Sequence, residues 1–322
     1  MSGSKVSVAP SESFVVNDRI QAIVDRAMAY LKAGYPVHLS GPTGTGKTTL
    51  AFHIASQLAR PITLLQGDHA LSSSDLIGSN DGYRTSRLVD NYVRSVVKME
   101  EEKRTIWVDN RLTTACRMGH TLIYDEFNRT CPEANNPLLS VFSERILNLP
   151  PAREGAESYV AVHKGFSAIL TSNPEEYAGV HAAPDALLDR VVTIRLDAVD
   201  EATRRQIIVS RTGVGEDTAG AIVDIVDGVA QRHPDHKNRP TLRAGIAAGR
   251  VLRAAGKEPD LADEFVAGVF ADLFGIPATD IAAAMKPAKR KKKTKAASRR
   301  RPRVVEPEEP AGDLSWLQAR AN

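Results

Sequence analysis

Eight consecutive residues near the start of the chain have the types and spacing of a phosphate-binding loop. They fit the pattern G-x-x-x-x-G-K-[ST] at every defined position. Glycines let backbone N–H groups turn inward around phosphate oxygens, and the positive end of a following helix adds to the attraction. We expect the lysine to contact the β- and γ-phosphates of a nucleotide, and the hydroxyl after it to bind Mg²⁺. The predicted nucleotide-binding residues are Gly41, Pro42, Thr43, Gly44, Thr45, Gly46, Lys47, Thr48 and Thr49.

Two adjacent carboxylates follow the apolar segment TLIY at 121–124. Asp125 is placed to bind Mg²⁺ together with Thr48, and Glu126 is placed to orient and polarise an attacking water. A single acid would suit a nucleotide switch, whereas the pair favours an ATPase. Asn173 ends a further apolar segment, where a neutral amide can contact the γ-phosphate and position the water without adding charge. An Asn before Pro is otherwise a common turn former.

Two arginines are candidates for contact with the transferred phosphate. Arg190 precedes a predicted strand, and an arginine from a neighbouring subunit can stabilise charge on the phosphoryl oxygens. The alternative for Arg190 is a salt bridge with Asp189 or another nearby acid. Arg243 begins a predicted helix, from which it could contact the γ-phosphate; its alternative is a solvated arginine with no catalytic role.

The residues needed for other chemistries are missing. His233 and His236 are three apart but have no cysteine or acidic partner at metal-ligand spacing, so we expect no metal site there. No Ser/His/Asp arrangement comes with a nucleophile elbow. Cys116 and Cys131 form no C-x-x-C pair, and we expect reduced thiols in a cytoplasmic protein. No apolar run approaches the roughly 18 residues of a membrane span.

Short apolar strands that alternate with helices predict a doubly wound, largely parallel α/β sheet. A first helix is expected from Asp18 to Leu31, capped by Asn17 or Asp18, and a second helix over 49–59 after the loop. Four later helices predict a small all-helical lid domain. The predicted strands are 37–39, 62–65, 121–125, 166–171 and 191–195, and the later helices are 201–210, 218–232, 242–255 and 261–274.

These elements divide the chain into four segments. We expect a loose N-terminus over 1–16, an α/β nucleotide-binding domain over 17–198, a helical lid over 199–285 and a tail over 286–322. Two inserts interrupt the α/β domain. The insert at about 84–112 predicts a charged helix around 98–104 followed by a short strand or ribbon, and the insert at about 145–165 predicts a hairpin. Solvated connections are the alternative for both.

The net charge of +3 is unevenly distributed along the chain. Residues 286–303 contain 11 Lys/Arg and no acid, residues 304–322 carry −3, and the first 285 residues therefore carry −5. So many like charges cannot bury a core, and we expect the basic tail to be disordered. We interpret it as a tethering arm for an acidic partner, with Leu314, Trp316 and Leu317 as a docking motif; the alternative is dispensable sequence.

Taken together, these residues resemble those of AAA+ ATPases. Residues 41–48 look like the Walker A loop, Asp125 and Glu126 like Walker B, Asn173 like sensor 1, Arg190 like the arginine finger and Arg243 like sensor 2. The two inserts are similar to those of the MoxR branch. Eight segments resemble the gas vesicle protein N family, within a resemblance that covers roughly residues 12–275. They are GD at 67–68, SDLIG at 74–78, GYR at 82–84, DN at 90–91, WVDNRL at 107–112, YDEFNRT at 124–130, PEANN at 132–136 and LLSV at 138–141.

This resemblance implies an ATPase needed for the formation or enlargement of gas vesicles, which are hollow protein shells that give buoyancy. It implies ATP and Mg²⁺ as cofactors and a homo-oligomeric ring, most simply a hexamer. The implied partners are other gas vesicle proteins, including the shell protein and the accessory gas vesicle protein O. The implied location is the cytoplasm, in association with gas vesicles.

Two other functions remain open on the sequence alone. A MoxR-type chaperone that activates a metalloenzyme, or a partner with a metal-dependent adhesion domain, would use the same ATPase residues. A nucleic-acid-binding ATPase would use the basic tail to bind phosphate backbones through counterion release. The second function is disfavoured because the body is net acidic and lacks a nucleic-acid-binding motif.

Overall fold

The structure of the chain, a computed structural model, describes the backbone of residues 14–90, 98–150, 158–174, 179–233 and 240–284. Side chains are described for these residues except 80–106 and 284. All of them lie in one compact unit, Met1–Lys286. The tail at 286–322, with its expected disorder and its docking motif, lies outside the described residues.

Strands and helices alternate along the first two thirds of the described chain. The strands are β1 (Val37–Ser40), β2 (Ile62–Gln66), β3 (Gly78–Asp90), β4 (Lys98–Asp109), β5 (Thr121–Asp125), β6 (Ile146–Asn148), β7 (Tyr159–Ala161), β8 (Ser167–Ser172) and β9 (Val192–Arg195). The helices of this part are α1 (Asp18–Lys32), α2 (Lys47–Gln57), α3 (Ser73–Ile77), α4 (Arg111–Met118), α5 (Asn136–Ser143) and α6 (Asp185–Leu188). Two short 3₁₀ helices, Phe127–Arg129 and Pro132–Asn135, follow β5.

Five of these strands form one parallel sheet in the order β2-β5-β8-β1-β9. Successive residues of β5 and β8 enter opposite hydrophobic clusters: Leu122 and Leu170 contribute to one face, whereas Ile123 and Ile169 contribute to the other. This alternation follows from the two-residue period of a strand. A parallel sheet covered on both faces brings the carboxyl ends of its strands to one edge, which is where the candidate site lies.

The last third of the described chain is helical. It contains α7 (Glu201–Thr212), α8 (Glu216–Arg232), α9 (Leu242–Ala255), α10 (Glu264–Phe274) and α11 (Ala278–Ala284). These helices have their own hydrophobic cluster, which includes Ile222, Leu252 and Phe270. Gly249 lies directly against Thr212, where an added Cβ would come within 3.0 Å of the threonine methyl carbon, so α7 and α9 pack closely.

The predicted fold class is confirmed, and the five predicted strands of the sheet match β1, β2, β5, β8 and β9 within one residue at either end. Asn17 is the cap of α1, because its side-chain oxygen accepts a hydrogen bond from the Ile20 N–H at 2.8 Å. The hairpin predicted over 145–165 is confirmed by the antiparallel pair β6–β7. Five helix boundaries differ by two residues or more: α2 spans Lys47–Gln57 instead of 49–59, α7 ends at Thr212 instead of 210, α8 begins at Glu216 instead of 218, and α10 begins at Glu264, after the cap Asp263, instead of 261.

The charged helix predicted around 98–104 is wrong, because Lys98–Asp109 is strand β4. It pairs antiparallel with β3 along its whole length, from Gly78 opposite Asp109 to Asp90 opposite Lys98. Glutamate and lysine favour a helix only weakly, and a long backbone ladder overrides that preference. Within the described residues, no helix is both long and apolar enough to cross a membrane.

Candidate functional site

The phosphate-binding loop joins β1 to α2 and needs its glycines for conformation and for space. Gly44 and Gly46 have φ angles of +82° and +81°, in the left-handed region that favours glycine. A Cβ on Gly41 would lie 2.3 Å from the Leu196 carbonyl oxygen, so no side chain fits there. The Lys47 Nζ donates to the carbonyl oxygens of Gly41 and Pro42 at 2.8 and 2.7 Å. The lysine therefore lies across its own loop, at the place where the pattern predicts phosphate.

The two acids lie where β5 ends, next to β8. Asp125 Oδ1 accepts a hydrogen bond from Thr48 Oγ1 at 2.8 Å and another from Thr171 Oγ1 at 2.6 Å. Asp125 is 7% exposed and Thr171 is fully buried. The Thr48 bond joins the loop to the strand end, and it brings together two residues that the sequence predicts as partners.

Glu126 leaves the strand direction with a φ of +52°, in the left-handed region. Its backbone N–H donates to Thr171 Oγ1 at 2.9 Å, and its Oε2 forms an ion pair with Arg129 Nε at 2.7 Å. Gly67 faces its carbonyl, and a Cβ on Gly67 would lie 2.0 Å from that oxygen. The turn at Glu126 carries its side chain to the cavity described below instead of continuing the strand.

Asn173 follows β8 and is 5% exposed. Its side-chain Nδ2 donates to Thr43 Oγ1 of the phosphate loop, and its backbone carbonyl oxygen accepts from Asn128 Nδ2 at 3.4 Å. The loop, the acid pair and the amide are thus connected by side-chain hydrogen bonds across three neighbouring strand ends.

A cavity of about 390 Å³ lies over this edge of the sheet. Its volume is in the range of small-molecule sites. Asp125, Gly41, Pro42 and Arg190 are not among the residues that line it. The predicted site residues that line it are Thr43, Gly44, Thr45, Gly46, Lys47, Thr48, Thr49, Glu126, Asn173 and Arg243.

The arginine predictions separate in the structure. Arg243 has an exposed side chain near the start of α9 and lines the cavity. Arg190 is half-buried after α6; its Nε donates to Ser143 Oγ and its Nη1 to the Ala186 carbonyl oxygen at 2.6 Å. Among the described residues Arg190 forms no ion pair, so the alternative of a salt bridge with Asp189 finds no support.

The cavity also has an apolar wall, which the sequence patterns did not predict. Phe14 and Val15 belong to the stretch expected to be loose, yet both line the cavity, and the Phe14 ring stacks on His53 with centroids 4.3 Å apart. Ile207 of α7 and Ile246 of α9 line the same cavity, one turn after Thr203 and Leu242 respectively. Apolar residues on these two predicted helices were the available signal in the sequence.

One buried histidine lies beside the site without lining the cavity. His38 of β1 contacts Ser172 Oγ through Nε2 at 2.8 Å and Thr193 Oγ1 through Nδ1 at 3.0 Å. Burial lowers the pKa of His38 to about 4, because an imidazolium would lose its hydration there. His38 is therefore neutral near pH 7 and bridges β8 to β9 through two hydroxyls.

Thiol chemistry gains no support in the described residues. Cys116 and Cys131 are both free, and burial raises the pKa of the Cys116 thiol to about 12. No cluster of three His, Cys, Asp or Glu side chains suited to a metal ion occurs among the residues that the structure describes. His236 lies outside those residues.

The region that carries the loop and the acid pair matches a known domain family. The AAA domain of the dynein-related subfamily matches residues 36–191. The gas vesicle ATPase GvpN of Ancylobacter aquaticus is 45% identical over 260 residues, which cover 81% of this chain and 72% of that protein. The gas vesicle ATPase GvpN2 of Halobacterium salinarum is 42% identical over 253 residues, covering 79% and 72%. A mutant of Thermotoga maritima RuvB shares the fold, with a TM-score of 0.50 and 16% identity over 82% of this chain and 72% of that one.

Proposed function

The chain belongs to the gas vesicle ATPase GvpN family. We propose that its hydrolysis of ATP drives the formation or enlargement of gas vesicles, by remodelling or delivering shell or accessory proteins. It is an AAA+ ATPase of the MoxR type. The observation that carries the proposal is the hydrogen bond between Thr48 and Asp125, beside a cavity that Glu126 and Asn173 also line.

We assign the phosphates of ATP to the loop at 41–49, with the base against the apolar wall of Val15, Ile207 and Ile246. Lys47 exchanges two neutral carbonyl oxygens for charged phosphate oxygens, and charge-assisted hydrogen bonds are the stronger kind. Arg243 reaches the γ-phosphate from α9, since it lines the same cavity. The regions 17–198 and 199–285 then act as two domains that close on the nucleotide.

Thr48 and Asp125 are the residues proposed to hold Mg²⁺. The donor set fits, because both side chains offer oxygen atoms, which Mg²⁺ prefers, and these oxygens already lie 2.8 Å apart. A bound Mg²⁺ would neutralise charge that develops on the phosphate oxygens.

Glu126 is the proposed group that accepts a hydrogen bond from the attacking water and polarises it. Arg129 forms an ion pair with its Oε2 and so restrains the carboxylate. Asn173 releases Thr43 to contact the γ-phosphate, and its neutral amide positions the water without repelling or neutralising the phosphate.

Arg190 is proposed to act on the nucleotide of the neighbouring subunit. Its absence from the cavity lining of its own chain and its anchoring to Ser143 and Ala186 fit a residue presented outward. Heterologous contacts that close generate a ring, and by analogy with the family we propose a hexamer. ATP hydrolysis then depends on subunit docking.

The inserts at about 84–112 and 145–165 are proposed to face the client proteins. We place the shell protein and the accessory gas vesicle protein O among the partners, and the chain in the cytoplasm at growing vesicles.

The test is vesicle yield and size in cells that carry the remaining gas vesicle genes. These cells receive the wild-type chain, Glu126→Gln, the control Glu133→Gln, or nothing. Glu133 is exposed and lies outside the cavity lining, so its variant removes a comparable charge without touching the site. We expect normal vesicles with wild type and Glu133→Gln, and few or none in the other two.

Equal vesicle yield in all four strains would contradict the role in vesicles and favour a MoxR-type chaperone for another partner. ATPase activity that DNA stimulates, with a stimulation that disappears as the salt concentration rises, would instead favour the nucleic-acid function.

A further inference from the structure

Thr171 is a fully buried hydroxyl that contacts both acids of the site. Its Oγ1 donates to Asp125 Oδ1 at 2.6 Å and accepts from the Glu126 backbone N–H at 2.9 Å. A threonine hydroxyl has one hydrogen to donate. Thr171 donates that hydrogen to Asp125, so its oxygen can act only as an acceptor toward the Glu126 backbone N–H.

The backbone at Glu126 needs such a contact. A φ of +52° is uncommon for a residue with a side chain, and it persists only where surrounding contacts impose it. Thr171 Oγ1 accepts from the Glu126 backbone N–H. Gly67 packs closely against the Glu126 carbonyl oxygen and so restricts rotation of that peptide group. The direction of the Glu126 side chain is set by this backbone turn.

The position of Thr171 on β8 links it to the other parts of the site. It pairs with Leu39 of β1, two residues before the phosphate loop, and lies two residues before Asn173. Residues two apart on a strand point to the same side, and both Thr171 and Asn173 line the cavity. One strand end therefore carries the amide expected to sense phosphate and the hydroxyl that engages the acid pair.

We propose that Thr171 is a positioning residue for ATP hydrolysis, which holds Glu126 in the left-handed turn that aims its carboxylate at the attacking water. This proposal rests on the role assigned to Glu126. A purely structural Thr171, which only joins β5 to β8, is the alternative that the experiment must separate.

The chain offers a matched control for the test. Thr121 lies on β5, is fully buried like Thr171, and its Oγ1 has no hydrogen-bond partner among the described residues. Thr121→Val and Thr171→Val make the same change at the same burial in the same sheet. They differ in that Thr171→Val removes two hydrogen bonds at the acid pair. Thr171→Ser keeps the hydroxyl and loses only the methyl group.

The full chain of each variant is assayed for kcat, for affinity toward a fluorescent ATP analogue, and for its thermal unfolding midpoint. We expect Thr171→Val to lower kcat by about 10–100-fold, the range seen when a supporting partner of a site is removed. Analogue affinity is expected to stay within about threefold, a small part of the change in rate. Thr171→Ser and Thr121→Val keep kcat close to that of the wild type.

A double variant decides whether Thr171 acts through Glu126. In a Glu126→Gln chain we expect Thr171→Val to change the residual single-turnover rate by less than about twofold, because residues that act as a unit are not additive. A full additional loss in the double variant would overturn the proposal in favour of a structural role. A wild-type kcat in Thr171→Val, or a lost kcat in Thr171→Ser, would overturn it as well.

The same measurements separate this proposal from the function on which it rests. If Glu126→Gln hydrolyses ATP as fast as wild type, the role of Glu126 fails and the positioning role falls with it. If Glu126→Gln is inactive while Thr171→Val is fully active, only the positioning role is overturned.

Discussion

At the scale of single residues, burial sets the charge state of one histidine beside the site. His38 of β1 lies between β8 and β9 and is 4% exposed. A neutral imidazole offers one donor and one acceptor, which its two hydroxyl partners can match. Protonation would add a second donor and a charge with no solvent to stabilise it.

His38 makes the stability of the fold depend on pH. Its pKa is 6.5 in the unfolded chain and about 4 in the folded chain, so the unfolded chain binds more protons between these values. Stability is complete above pH 6.5 and falls as the pH drops toward 4. At about 1.36 kcal/mol per pKa unit, we expect a loss of about 2 kcal/mol at pH 5 relative to pH 7.5.

Urea unfolding at pH 7.5 and pH 5 measures this loss in the wild type and in His38→Gln. The variant should lose less stability on acidification by about that amount, because glutamine does not titrate. Other histidines titrate equally in both proteins, so they cancel in the difference. The same acid-induced loss in both proteins would contradict the assignment to His38.

At the scale of elements, the start of α1 joins the α/β region to the helical region at the lining of the cavity. Asn17 caps α1 and donates through Nδ2 to Thr203 Oγ1 of α7 at 2.6 Å. Thr203 Oγ1 in turn donates to Asp200, the cap of α7, at 2.8 Å. The starts of two helices are thus joined through one amide, next to the apolar wall that we assign to the base of ATP.

Two substitutions of Asn17 separate its role as the N-cap of α1 from its hydrogen bond to Thr203 of α7. Asn17→Ala removes both and is expected to lower the free energy of unfolding by about 1–2 kcal/mol, whereas Asn17→Ser keeps a good cap and should lower it by less. Both lose the link to Thr203, so we expect both to weaken ATP analogue binding to a similar extent. Unfolding curves and analogue titrations provide the comparison. Wild-type affinity in Asn17→Ser would show that the link does not shape the cavity.

At the scale of the whole molecule, one chain supplies every proposed part of the site except the arginine that completes it. Arg190 is held by Ser143 and Ala186 and does not line the cavity of its own chain. A site shared between subunits would make hydrolysis sensitive to assembly, as the proposed role in gas vesicle formation requires.

Mixing two inactive variants tests the shared site. Arg190→Ala chains keep Glu126, and Glu126→Gln chains keep Arg190, so some interfaces in a mixed ring regain both residues. In a random ring mixed in equal amounts, about a quarter of the interfaces are restored, and we expect up to about that fraction of wild-type activity. Phosphate release from ATP is measured for each variant and for the mixture, with size-exclusion chromatography to verify mixed rings. A mixture that forms rings but stays inactive would contradict the shared site.

Much of this protein is determined by its sequence alone, because the relevant information is local. A loop of consecutive residues makes the phosphate-binding pattern, two adjacent acids end an apolar strand, and an amide ends the next strand of the sheet. Strand and helix periods then predict the parallel sheet and the helical region closely. These features depend on residues that are near one another in the chain, so the spacing of those residues is sufficient to predict them.

The tertiary structure decides what depends on contacts between distant residues. Strand β4 forms where a charged helix was predicted, because pairing with β3 supplies a ladder that outweighs weak local preference. The apolar wall combines Phe14 with Ile207 and Ile246, which lie far apart in the chain. Thr171 reaches the acid pair across 45 residues, and nothing in its own segment distinguishes it from a strand residue. Only folding brings such groups within hydrogen-bonding distance. Burial then strengthens the hydrogen bonds of the Thr171 hydroxyl to Asp125 and Glu126.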